Sequence, residues 1–177
     1  GFFYVFDRAT GEMILKPWAF VYNDLIKGVD METGRALYDI RKIMFTKLED
    51  RQKYVPDAKD ITVTWCPGIA ARNWFQDAYS PRTGLIYTPV SNQCGTQKVL
   101  EGKYVPPGDY TLKETINPSP LAPGAQNAAE LQANDPVTGK TVWRVPWKVV
   151  NNAPVMATAG DLLFQGGPNE GVFRAFN

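Results

Sequence analysis

Short apolar runs separated by polar turns recur along most of the chain, and their spacing is that of β-strands. Ile61-Thr62-Val63-Thr64-Trp65 alternates with the two-residue period of a half-buried strand. Leu85-Ile86-Tyr87, Thr141-Val142-Trp143 and Leu162-Leu163-Phe164-Gln165 are β-branched, aromatic or apolar runs of strand length. Gly1-Phe2-Phe3-Tyr4-Val5-Phe6 is apolar throughout, which predicts a strand buried on both faces, and residues 1–18 read as strand, turn, strand. Between the runs one phrase returns: Asp7-Arg8-Ala9-Thr10-Gly11, Asp30-Met31-Glu32-Thr33-Gly34, Ser80-Pro81-Arg82-Thr83-Gly84 and Asp135-Pro136-Val137-Thr138-Gly139. In such a turn the Asp or Ser side chain accepts backbone N–H bonds, the Thr hydroxyl closes the loop, and Gly supplies the positive φ that ends it. Phe173-Arg174-Ala175-Phe176-Asn177 reads as the start of one more copy. A repeated strand-turn-strand unit predicts an all-β repeat architecture of which this chain is one part.

The regions between these units are less regular. The second turn follows the first after only 23 residues, too soon for a full four-stranded unit, so Asp24 to Tyr38 reads as an inserted hairpin at a sheet edge. Residues 39–60 are charge-rich with little periodicity and predict a surface loop or a short helix. Residues 91–128 carry Pro106, Pro107, Pro118, Pro120 and Pro123 and predict a long ordered loop. Ala157-Thr158-Ala159-Gly160-Asp161 predicts a tight turn before the next strand.

Composition narrows the chemistry mainly by exclusion. In 177 residues there is no histidine, which removes Ser-His and Cys-His catalysis, histidine metal sites and Cys-x-x-Cys-His haem attachment from these residues. Nineteen Lys and Arg against 18 Asp and Glu give no electrostatic reason to expect nucleic acid. No apolar stretch approaches a membrane span, and the first residues lack the charged-then-apolar order of a signal peptide, so any export signal is expected upstream. Five Trp and eight Tyr suit a fold that packs flat rings between sheets.

The fourth turn extends into Ala133-Asn134-Asp135-Pro136-Val137-Thr138-Gly139-Lys140-Thr141-Val142-Trp143. This resembles the tryptophan docking repeat of the quinoprotein dehydrogenases, Ala-x-Asp-x-x-Thr-Gly-Lys-x-x-Trp, in which the Trp wedges between blades of an eight-bladed β-propeller. Trp65-Cys66-Pro67-Gly68, Arg72-Asn73-Trp74 with Ala78-Tyr79-Ser80-Pro81-Arg82-Thr83-Gly84-Leu85-Ile86-Tyr87, the segment Met156 to Gly167, and the opening Gly1 to Arg8 are similar to the same family in the same order. The resemblance, to alcohol dehydrogenases that use pyrroloquinoline quinone (PQQ), covers nearly the whole chain outside 39–60 and the proline-rich loop. It implies one incomplete β-propeller domain over 1–177, built of several four-stranded antiparallel blades, with 39–60 and 91–128 as surface loops or insertions.

What the resemblance implies for chemistry is equally specific. Asn73 and Trp74 are the residues expected to reach PQQ, since an anionic planar quinone needs amide donors at its edge and flat faces beside its rings; for Trp74 a packing role is the alternative. Arg72 is expected to position that loop. Cys66 and Cys94 are implied to form a disulfide, which favours an oxidising compartment, the periplasm; two separate buried thiols are the alternative. Asn152 stands where some members place a cavity-lining Trp, implying a more polar or wider pocket, unless Asn151-Asn152 is only a turn pair. The catalytic Asp and the ligands of Ca²⁺ or a lanthanide are expected upstream of Gly1, and Asp77 and Asp161 are assigned to turns. The implied partners are the rest of the same propeller, an alcohol and a cytochrome c electron acceptor. Two rival readings remain: a non-catalytic β-propeller scaffold of the same repeat type, and a carbohydrate- or peptide-binding β domain.

Overall fold

The structure is a computed structural model and describes residues 1–68, 70–99, 113–115, 119–150, 153–167 and 169–177. Its elements follow the predicted strand-turn order except within 91–128, expected as one long loop, where Gly95–Val99 and Lys113–Thr115 are strands because their backbones pair in a sheet with Thr62–Trp65. Phe2–Phe3 (β1) pairs antiparallel with Trp18–Ala19 (β2), and Ile26–Val29 (β3) with Ala36–Tyr38 (β4). A single 3₁₀ turn at Ile40–Lys42 and a five-residue helix, Leu48–Gln52 (α1), follow. The chain then runs through Thr62–Trp65 (β5), Ala78–Ser80 (β6), Leu85–Ser91 (β7), Gly95–Val99 (β8) and Lys113–Thr115 (β9). Ala129–Asn134 (β10), Thr141–Trp147 (β11), Val155–Ala157 (β12), Leu163–Gly167 (β13) and Val172–Phe176 (β14) complete it.

One four-stranded antiparallel sheet, in the order β11-β10-β7-β6, forms the centre. Sheets β5-β8-β9 and β12-β13-β14 have three strands, and β1-β2 and β3-β4 have two. The Asp24–Tyr38 hairpin therefore pairs with itself rather than extending another sheet. Proline is tolerated in the central sheet because of where it falls: Pro146 lies on the edge strand β11, and Pro89 lies past the end of β6, which pairs with β7 only as far as Tyr87.

The repeated turns close as their residues dictate. The Asp7 carboxylate accepts the N–H groups of Ala9 and Thr10 at 2.8 and 2.9 Å, and Gly11 N–H bonds back to Asp7 O at a φ of +76°. Asp30 and Asp135 repeat the arrangement. In the third copy Gly84 N–H still bonds Ser80 O, and the Thr83 hydroxyl meets Ser80 O at 3.4 Å and the Tyr87 hydroxyl at 2.8 Å.

Every residue of β10 is buried, because this inner strand is covered on both faces. On one face Leu131 and Ala133 pack with Tyr87 against Val155 and Leu163 of the β12-β13-β14 sheet, with Trp143 at the margin. On the other face β10 presents Glu130, Gln132 and Asn134, which are linked in a chain of hydrogen bonds. Thr141 Oγ1 donates to Asn134 Oδ1 (2.8 Å), Asn134 Nδ2 to Gln132 Oε1 (3.2 Å), and Gln132 Nε2 to Glu130 Oε1 (2.7 Å) and Phe20 O (3.1 Å). The ladder ties the segment after β2 to β10, as hydrogen bonding of buried polar groups requires.

Trp18 secures the same junction. Its ring stacks on Phe3 at 4.9 Å, its Nε1–H donates to Pro136 O at 3.3 Å, and its face lies on Gly139. The first hairpin is thus seated on the fourth turn. Burial of Gly1 to Phe6 on both faces is corrected here: Tyr4 is 37% and Phe6 53% exposed. The β1-β2 pairing spans only Phe2–Phe3 and Trp18–Ala19, and beyond it Tyr4 stacks on Phe6 and meets Phe2 at a tilt, with no sheet over this row among the described residues.

Gly139 carries two constraints and Gly84 one. At Gly139 φ is +71° and an added Cβ would lie 2.5 Å from the Trp18 ring, whereas at Gly84 φ is +69° with nothing within 4 Å. Gly84→Ala is expected to destabilise by about 1 kcal/mol and Gly139→Ala by about 3 kcal/mol, read from urea unfolding midpoints.

Several carboxylates are held below their ordinary range: Asp7 and Asp30 by the N–H groups of Thr10 and Thr33 first, Asp135 by that of Val137, and Asp39 chiefly by the paired guanidinium of Arg41. A carboxylate whose folded pKa is depressed stabilises the fold above its unfolded pKa, and that stability is lost as pH falls through the folded value. Thermal unfolding temperature is therefore expected to fall below about pH 4, and the Asp30→Asn, Asp135→Asn double variant to show a shallower fall.

Candidate functional site

The segment between β5 and β6 carries the residues singled out from the sequence, and its frame begins at the disulfide. Trp65 is paired with Gly95 across β5 and β8, so Cys66 and Cys94 are the next facing pair, and they are joined by a disulfide with Cα atoms 4.3 Å apart. Gly68 N–H donates to Gln93 O at 2.8 Å, and its Cα faces the Gly95 backbone so closely that a Cβ on Gly68 would collide with it. Trp65 Nε1–H donates to Gly68 O at 2.9 Å and caps the bend.

The β3-β4 hairpin region braces this bend from the side. Asp24 Oδ1 accepts Cys66 N–H at 2.7 Å, Asp24 N–H donates to Cys66 O at 3.0 Å, and Lys42 Nζ bridges Asp24 Oδ2 and Thr64 O, each at 2.8 Å. Asp39 caps the 3₁₀ turn that carries Lys42. These contacts escaped sequence reasoning because the partners lie 42 and 22 residues apart in segments with no shared pattern.

The loop 71–77 is fastened at both feet. Ala71 is fully buried beside Phe20 and Val90, and its carbonyl accepts Ser91 N–H at 2.7 Å. At the other end Gln76 O accepts Val155 N–H at 3.2 Å. Across the middle, Arg72 Nη2 donates to Phe75 O at 3.1 Å and pairs with Asp77 Oδ2 at 3.0 Å. Burial pushes the Asp77 carboxyl up from its ordinary value, with Arg72 and the Thr88 hydroxyl opposing. Asp77 is thus an internal partner of the loop, where the sequence suggested only a turn residue.

Asn73 and Trp74 form the apex and are neighbours in space as in sequence. Asn73 Oδ1 accepts Trp74 N–H at 3.0 Å, while its Nδ2 makes no hydrogen bond with the described residues. Trp74 is 77% exposed and touches Phe75 with ring centroids 5.3 Å apart. A cavity of about 90 Å³ opens below the loop, lined by Arg72, Asn73, Phe75, Val90, Ser91 and Cys94 among others. Asn73 faces this cavity, and Trp74 stands outside it. Val150 also borders it, while Asn151 and Asn152 lie outside the described residues. The described residues contain no group of three or more Cys, Asp or Glu side chains placed to hold a metal ion.

The disulfide closes a separation of 28 residues. Reduction, or a Cys66→Ser, Cys94→Ser double variant, is expected to lower unfolding stability by about 3–4 kcal/mol, measured by chemical denaturation with and without reductant.

No protein-family model matches the chain. It is 35% identical over its whole length to the dehydrogenase subunit of alcohol dehydrogenase (quinone) of Acetobacter aceti, covering 23% of that protein. It is also 35% identical to quinoprotein alcohol dehydrogenase PedH of Pseudomonas putida, covering 28%. The chain therefore spans about a quarter of the length of the curated relatives it matches. Among solved structures, a europium-containing methanol dehydrogenase superposes on the whole chain with a TM-score of 0.76 at 22% identity, covering 30% of that protein. The quinohemoprotein alcohol dehydrogenase of Comamonas testosteroni superposes on 94% of the chain with a TM-score of 0.66 at 25% identity, covering 24% of that enzyme. The sheets are thus those of a β-propeller, unclosed within these residues, and one of them has the four strands expected of a blade.

Proposed function

We propose, from the chain's membership of the PQQ-dependent quinoprotein alcohol dehydrogenase family, that it supplies one wall of the PQQ pocket in an enzyme that oxidises an alcohol. The observation that carries the reading is the apex of the 71–77 loop, where an amide donor without a partner among the described residues and an exposed indole stand side by side. When bound, PQQ supplies a quinone that takes up the electrons removed from the alcohol.

The residues present fit one edge of such a group. Asn73 has its carbonyl oxygen committed to Trp74 N–H, which leaves Nδ2 to donate to a quinone oxygen or carboxylate. Trp74 offers a flat apolar face that is 77% exposed and so open to a planar partner. A pocket for a ligand of drug size measures about 300–1,000 Å³, and the cavity of about 90 Å³ below the loop accommodates an edge of the rings rather than the whole group. The other walls, the catalytic Asp and the ligands of Ca²⁺ or a lanthanide are therefore assigned to the rest of the propeller.

Within this reading Asn73 orients the cofactor edge and Trp74 excludes water from one side of it. The disulfide supports the periplasm as the compartment, where such bonds persist. A cytochrome-type protein is the proposed electron acceptor. A scaffold propeller of the same repeat has no need of a donor and a bare indole at one apex.

PQQ binding to the intact apo-protein, followed by quinone absorbance, tests the proposal. Asn73→Ala is expected to weaken binding about tenfold, as loss of a hydrogen bond to a charged group does, and Trp74→Ala by a similar factor through lost ring contact. An intact protein that takes up no quinone under any metal condition sinks the proposal and leaves the scaffold reading.

A further inference from the structure

The 71–77 loop is short, and its two feet are anchored to different elements. Ser91 N–H on β7 holds Ala71 O, and Val155 N–H on β12 holds Gln76 O. Those bonds fix where the loop leaves and returns, and the four residues between Ala71 and Gln76 are held by neither. Asn73 and Trp74 lie in that stretch, and no described side chain from another element bonds either of them. Their placement therefore depends on a contact made inside the loop.

One such contact spans it. Arg72 Nη2 reaches forward to Phe75 O at 3.1 Å and to Asp77 Oδ2 at 3.0 Å, so a single guanidinium nitrogen bridges from the residue before the apex to the first and third residues after it. Both side chains are partly shielded, Arg72 being 34% and Asp77 23% exposed, so water weakens the pair less than it would on the open surface. Asp77 adjoins Ala78, the first residue of β6, so the brace ends at the edge of the central sheet. A pair buried to this degree costs desolvation, and replacing it with apolar side chains often costs a protein no stability.

We propose that Arg72 and Asp77 are positioning residues for the cofactor, their ion pair setting the geometry in which Asn73 and Trp74 meet the quinone. The inference rests on the assignment of the apex to the PQQ pocket. Neither residue needs to touch the cofactor for this role, and no proton or electron passes through the pair. The arrangement predicts coupling: once either partner is lost the brace is gone, and losing the second does little more.

The test is a double-variant cycle in the intact protein with Arg72→Met, Asp77→Asn and both together, reading two quantities. The first is PQQ affinity of the apo-protein. The second is acrylamide quenching of Trp74, taken as the difference between each protein and its Trp74→Phe counterpart. Asp77→Asn keeps the size and an acceptor oxygen, so it guards against a variant that fails to fold. Each single variant is expected to weaken PQQ binding about tenfold, the double variant no more than the weaker single, with altered quenching of Trp74 in all three. Variants that bind PQQ as the wild type does overturn this inference alone, as do single losses that simply add or unchanged Trp74 quenching. A wild-type protein that takes up no quinone overturns the functional reading and this inference with it.

Discussion

Strand β10 is buried on both faces, and the two faces ask for different chemistry from what covers them. Leu131 and Ala133 bury apolar surface against Val155 and Leu163, the ordinary hydrophobic joint between stacked sheets. Glu130, Gln132 and Asn134 point the other way, where a buried polar group left unpaired costs several times what a made hydrogen bond returns. The directed chain from Thr141 through Asn134 and Gln132 to Glu130 and Phe20 O meets that demand. It also fixes the segment after β2 on the central sheet, since Phe20 O is one of its acceptors.

The candidate site depends on this junction. Phe20 packs on Ala71 and Val90, so the element held by the polar chain also forms the floor under one foot of the 71–77 loop. The other foot is held by β12, which belongs to the sheet on the opposite, apolar face of β10. The loop thus straddles the two interfaces that β10 organises. Its apex is left outside both, which explains why Trp74 is bare while Ala71, three residues earlier, is fully buried. Behind the loop, the β5-β8 pairing, the disulfide and the Asp24–Lys42 contacts keep the Cys66–Gly68 bend in place. Stability is concentrated in the frame, and the exposed apex is presented by a few residues on it, as loops on rigid scaffolds commonly are.

Local features were legible in the residues themselves. The Asp-x-x-Thr-Gly turns form because each Asp can reach its own following N–H groups and each Gly can take a positive φ, and both facts are contained within five residues. The Ile61–Trp65 alternation gave a strand for the same reason. Burial of Gly1–Phe6 was misjudged because an apolar run specifies a preference, while a covering element has to come from elsewhere. The polar side chains of β10 carried the opposite surprise. Glu130, Gln132 and Asn134 have the composition of an exposed face, and their burial depends on the Phe20 carbonyl 112 residues away from Gln132.

The sequence by itself determined the strand-turn unit and the likeness of its motifs to the quinoprotein alcohol dehydrogenases, and it singled out Asn73 and Trp74, because each of these rests on contacts or motifs a few residues long. Tertiary structure alone decided how those residues are held. Trp18 docks on Gly139 and Pro136 O, Asp24 takes the Cys66 N–H, and Ala71 and Gln76 are anchored by different sheets. The packing of several sheets at once brings such partners within bonding distance, and no periodicity along the chain encodes a distance between residues that far apart.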